Sequence, residues 1–138
     1  RMDFAPYEAG EWAGLSLVQN NQWQYRMELG LDGKDRLQLR LVRVMAGEAV
    51  VLSSRELAPG PLDLVVTARD QELEFRFVRG QEEVLARGVD ARILSTDMAG
   101  GFVGTLAGMH AFASAGGTSP NFADFDWFEY QGWTTLRE

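Results

Sequence analysis

The sequence predicts an all-β, antiparallel fold, a sandwich or a barrel, and three observations carry that expectation. Apolar and polar residues alternate with period two through four separate segments. Turn chemistry interrupts them about every 8 to 12 residues. No long amphipathic helix is present, and a parallel α/β sheet needs such helices to cross between its strands.

Taken in chain order, Trp23, Tyr25, Met27 and Leu29 alternate with Gln24, Arg26 and Glu28, which sets large side chains on one face of a strand and polar ones on the other. Leu31-Asp32-Gly33-Lys34-Asp35 follows as a hairpin loop, in which the Asp-Gly pair is expected to supply the positive φ of a tight connection. Leu37, Leu39 and Leu41 form the second row, against Gln38 and Arg40. Ala58-Pro59-Gly60-Pro61 is a loop, since two prolines bracket a glycine. Leu62, Leu64, Val66 and Ala68 form the third row. The fourth is Leu73, Phe75 and Phe77 against Glu72, Glu74 and Arg76, with reversals at Arg69-Asp70-Gln71 and Arg79-Gly80-Gln81. The best helical candidate is a single turn within Asp90-Ala91-Arg92-Ile93-Leu94-Ser95.

The texture then changes, because Met98 to Gly117 holds many of the fifteen glycines. Tight backbone packing and loops explain them, and a projecting loop that presents Phe102 is the functional alternative. Leu106 to Phe112 predicts a mid-sheet strand. The closing stretch Phe122 to Tyr130 is aromatic enough to predict a final strand packed into the core, with Trp127 in it. Trp23, in an alternating row, is also expected in the core.

Composition narrows the function classes. The 138 residues suffice for one domain. Twelve Arg and the single Lys34 against twenty acidic residues give a net charge of -7, which opposes binding to a phosphate backbone, so no nucleic-acid partner is expected. No apolar run approaches the roughly 20 residues of a membrane span, and no membrane partner is expected. Without cysteine, there are no disulfides, thiolate metal sites or Cys nucleophiles. Arg1 to Pro6 lacks a signal pattern, which favours the cytoplasm.

Chemistry-bearing motifs are few. P-loop, dinucleotide and Gly-x-Ser-x-Gly fingerprints are absent. His110 is the only histidine, so a Ser-His-Asp apparatus would need it, yet its apolar strand context predicts a structural role. Asp124 and Asp126, two apart on a strand, stand roughly 6.5 to 7 Å apart, near the lower separation for inverting glycosidases. Any Asp-x-Asp strand has that spacing, so simple structural use leads and a structural calcium follows, with catalysis last. Asp97 is a candidate turn-capping acceptor. Trp12 and Trp133, near the ends, are the candidates for stacking on sugar rings.

Three stretches, in order, resemble the C-terminal domain of family 43 glycoside hydrolases, chiefly β-xylosidases with some α-L-arabinofuranosidases. They are Ala13-Gly14-Leu15-Ser16-Leu17-Val18-Gln19-Asn20 with Trp23-Gln24-Tyr25-Arg26; Asp90 to Asp97 with Ala99-Gly100-Gly101-Phe102-Val103-Gly104; and Ala123-Asp124-Phe125-Asp126-Trp127-Phe128-Glu129-Tyr130. The resemblance implies a two-sheet concanavalin A-like jelly roll over the single domain 1–138. It also implies that no catalytic residue lies here and no cofactor is needed, because the catalytic carboxylates belong to a five-bladed propeller. The sandwich lends that propeller a loop, matched here by Gly100, Gly101 and Phe102, which favours short xylo-oligosaccharides by helping close the pocket. The alternative is an independent carbohydrate-binding module using Trp12 or Trp133. Against the family pattern the chain is expected to lack the first strands of the domain, which would leave open edges and predict a homo-oligomer.

Overall fold

The computed structural model describes residues 1–6, 9–20, 22–69, 71–94, 106–113 and 123–125, and across them the alternating rows become strands. In order these are β1 (Met2–Phe4), β2 (Glu11–Asn20), β3 (Trp23–Leu31), β4 (Leu37–Met45), β5 (Glu48–Glu56), β6 (Asp63–Arg69), β7 (Glu72–Arg79), β8 (Gln81–Asp90), β9 (Leu106–Ala113) and β10 (Ala123–Phe125), with a single 3₁₀ turn at Ala91–Leu94. All pairings are antiparallel. One sheet has the order β5-β4-β3-β2-β9, and a second runs β6-β7-β8. The pair β1-β10 joins the second sheet, because Met2 and Leu62, just before β6, exchange backbone hydrogen bonds of 2.8 and 2.9 Å. Among the described residues two sheets of five strands therefore face each other, as a sandwich requires.

Period two explains what fills the space between them. The register sets Ala13 beside Leu29 beside Leu39, and Leu15 beside Met27 beside Leu41. Leu73, Phe75 and Phe77 of β7 oppose this row, and Met2, Phe4, Leu62, Leu85, Ile93 and Leu94 complete the core. Tyr25 and Phe75 meet across the sandwich with centroids 5.8 Å apart. Full burial of a ring such as Phe75 contributes roughly 2 to 3 kcal/mol. Trp23 packs against this core at its margin.

Several local expectations change. The β3–β4 loop takes its positive φ at Asp35 (60°), not at Gly33. The cause is Asp32, whose carboxylate accepts from the backbone N–H groups of Lys34 (2.8 Å) and Arg36 (2.9 Å) and so shapes a longer loop. Among the described residues β9 ends the large sheet and is not mid-sheet. β1 is flanked on both sides, by β10 and by Leu62, so it is not an open edge. The loop 58–61 is held by Arg79, whose guanidinium donates to the carbonyls of Ala58, Gly60 and Pro61.

The β4–β5 hairpin turns through Ala46 (φ 53°) and Gly47 (φ 85°), the two left-handed residues of a type I′ turn. Alanine is costly there, by about 1 kcal/mol, because its Cβ crowds the carbonyl. Ala46→Asn should therefore stabilise the protein by about 0.5 to 1 kcal/mol, seen as a rise of a few degrees in Tm; an unchanged or lower Tm would count against the turn type.

Candidate functional site

Residues 95–105, which include Gly100, Gly101, Phe102 and Asp97, lie outside the described residues, but both flanks are described. On the near side, the Tyr25 hydroxyl donates to the Asp90 carbonyl at 2.5 Å. Burial pushes that phenol up to about 12, so it stays protonated and remains a donor. The backbone N–H of Ala91 donates to Gln71, and the Asp90 carboxylate accepts from both the backbone and the guanidinium of Arg92. Ile93 and Leu94 then bury their side chains. On the far side, β9 pairs with β2 continuously from Leu106–Val18 to Ala113–Glu11. The chain thus leaves one fixed turn and re-enters one fixed strand.

The face of the large sheet turned away from the core holds a second arrangement. Glu28, which alternation places on the polar side of β3, is fully buried (0% exposed). Its carboxylate accepts from Arg26 Nε (3.1 Å), Arg40 Nη2 (2.7 Å) and His110 Nε2 (2.9 Å). An ionised carboxylate only accepts, so the Nε2 of His110 carries the proton, and its Nδ1 meets Ser16 Oγ at 2.6 Å. Burial alone would push the Glu28 carboxyl up. The hydrogen bond from His110 and the charges and hydrogen bonds of the two arginines outweigh it and hold the group below the ordinary carboxylate value.

Glycine makes this cluster possible. His110 stands on β9 and Glu28 on β3, with β2 between them, and the β2 residue in that row is Gly14. A Cβ at 14 would overlap the Met27 carbonyl and the Glu28 Cα and so push β3, with Glu28, away from β2 and β9. In the neighbouring row, at Gly30, the Trp12 indole lies across the strand, within 2.5 Å of where a Cβ would stand. The Arg40 guanidinium then lies over the indole, 3.5 Å from a ring centroid.

Of the residues singled out from sequence, His110 is hydrogen-bonded on both ring nitrogens, to Glu28 and Ser16. Trp12 is only 6% exposed, and Arg40 occupies the ring face that a sugar would need. Trp133, Trp127 and Asp126 lie outside the described residues. Asp124 pairs with Asp3 through the β1–β10 backbone, and its side chain is not described. Among the described residues no three carboxylate or histidine side chains cluster as a metal site would. Sequence reasoning missed Glu28, Arg26 and Arg40 as a unit; a glycine inside a strand, in register with the lone histidine, was the signal that could have found them.

A family model described as the β-xylosidase C-terminal concanavalin A-like domain matches residues 1–131. A xylosidase/arabinosidase of Butyrivibrio fibrisolvens is 31% identical over 128 residues, which are 92% of this chain and 24% of that protein. Among solved structures, the Bacteroides ovatus xyloglucan PUL GH43B aligns with a TM-score of 0.84 at 26% identity, covering 94% of this chain and 26% of that one. A variant of the GH43 protein BlXynB of Bacillus licheniformis aligns at 0.82 and 25% identity, covering 91% and 25%. The chain spans about a quarter of the length of the relatives it matches.

Proposed function

Because this chain belongs to the β-xylosidase C-terminal concanavalin A-like domain family of the GH43 proteins, we propose that it works beside a catalytic propeller, lending the loop of Gly100, Gly101 and Phe102 to close the pocket. The domain is the accessory sandwich of a xylosidase/arabinosidase-like protein. The observation that carries the proposal is the family match over 1–131, in relatives four times as long. The anchoring of both flanks of residues 95–105 supports it: a loop that limits substrate length must be presented from a rigid base.

An apolar ring at the mouth of a pocket excludes water and strengthens the polar contacts inside it. Short xylo-oligosaccharides would fit beneath such a ring, whereas polymer would not. In the full-length parent, Phe102→Ala should lower kcat/KM on xylobiose about tenfold, ~1.4 kcal/mol, with Tm unchanged. Unchanged kinetics would reject the loop's role, while leaving the domain's family membership intact.

A further inference from the structure

On the outer face of the large sheet, one row across β9, β2 and β3 holds His110, Gly14 and Glu28, and the next holds Gly108, Ser16 and Arg26. Ser16 Oγ lies 2.6 Å from His110 Nδ1, and His110 Nε2 lies 2.9 Å from Glu28 Oε1. Glu28 takes the Nε2 proton, which leaves Nδ1 its lone pair, so the Ser16 hydroxyl donates to it. A hydroxyl, an imidazole placed to accept its proton and a carboxylate that fixes the tautomer are the parts of an activated serine. Arg26 and Arg40 hold the carboxylate in place from two other directions. Ser16 is 8% exposed and the His110 side chain 17%. The approach to the hydroxyl is over its neighbour Gly108, where a Cβ would meet nothing within 4 Å among the described residues. On the other side of Ser16 in the same row stands the Arg26 cation.

We propose that Ser16, with His110 as its base and Glu28 orienting the imidazole, is a nucleophile that hydrolyses small carboxylic esters approaching over Gly108. This activity is separate from the pocket role of residues 100–102. The Ser16 oxygen adds to the ester carbonyl carbon as its proton passes to His110 Nδ1, and the carbonyl π electrons move onto the oxygen, beside the Arg26 cation. The adduct collapses, the C–O bond to the alcohol breaks, and the alcohol leaves with the proton from Nδ1. Water then adds to the acyl group on Ser16 and gives a proton to Nδ1. The carboxylic acid departs as that proton returns to Ser16 Oγ. Throughout, Nε2–H stays on Glu28, whose negative charge stabilises the imidazolium. The absence of one side chain at 108 opens little more than the volume of a small group, so an acetyl ester is the class that fits.

The probe is p-nitrophenyl acetate, whose phenolate release reports acyl transfer and which offers a propeller no glycosidic bond. The full-length parent should turn it over catalytically. Ser16→Ala removes one oxygen and leaves the core-facing row intact, so it should keep the wild-type circular dichroism and lower kcat about 100-fold. A fluorophosphonate should add to the wild-type protein on the peptide that holds Ser16, a reading that needs no variant. Turnover no faster than in buffer, turnover unchanged by Ser16→Ala, or a Ser16 left unmodified by the fluorophosphonate overturns the proposal.

Discussion

Truncating Glu28 to alanine should lower stability by about 3 kcal/mol and Tm by roughly 10 °C. The magnitude follows from where the charges sit. Exposed pairs contribute about 0.2 to 1 kcal/mol, whereas breaking a buried pair costs about 3 to 5 because the remaining charge loses its partner in a poor solvent. Glu28 is fully buried, while the Arg26 and Arg40 side chains keep 20% and 23% exposure through which water can relax them. The low end of the buried range is thus the appropriate one.

The same cluster makes stability depend on acid. In the unfolded chain Glu28 titrates near the ordinary value of about 4.3, and in the fold it titrates lower. Its stabilisation is therefore fully present above about pH 4.3 and is lost as pH falls through the folded value. Urea unfolding of the wild type and Glu28→Gln should differ most at pH 7 and converge towards pH 3. A gap that stays constant across that range would show that the ionised carboxylate is not what the cluster stabilises.

The contrast between β4 and β5 shows what alternation can convey. Leu37, Leu39 and Leu41 declare one buried face, and β4 forms as that row requires. Ala49-Val50-Val51-Leu52 has no alternation because β5, which ends its sheet among the described residues, buries neither face well and carries a bulge, so neither its existence nor its register is written in its hydrophobic pattern. Glu28 poses a different problem. Period two correctly placed it opposite Met27 and Leu29, away from the core, but the polar side of a strand is solvated only if nothing covers it. Its partners from other strands are Arg40 on β4 and His110 on β9, whose imidazole reaches it across β2 at Gly14. Contacts between residues 82 positions apart, as for Glu28 and His110, leave no local trace. The lone histidine was visible; its partner was not.

Gly14→Ala should be the most damaging single methyl group in this part of the fold, costing about 4 kcal/mol. A Cβ built at Gly14 lies 1.9 Å from the Met27 carbonyl oxygen, 2.7 Å from the Glu28 Cα and 2.9 Å from the Met27 carbonyl carbon. All three are backbone atoms of β3, so no rotamer change relieves the overlap and the two strands must move apart. Moving them apart strains the pairing that runs from Trp12–Gly30 to Asn20–Trp23 and pulls Glu28 away from the imidazole that crosses above Gly14. A glycine without such neighbours behaves oppositely. At Gly33 a Cβ meets nothing within 4 Å, and its φ is not among the positive ones, so Gly33→Ala should be neutral or stabilise by about 0.4 to 1 kcal/mol by restricting the unfolded chain. Paired denaturation curves for the two variants therefore test sign as well as size. Equal stabilities would mean that β2 and β3 do not approach closely at Gly14, and the path that His110 takes to Glu28 would lose its physical basis.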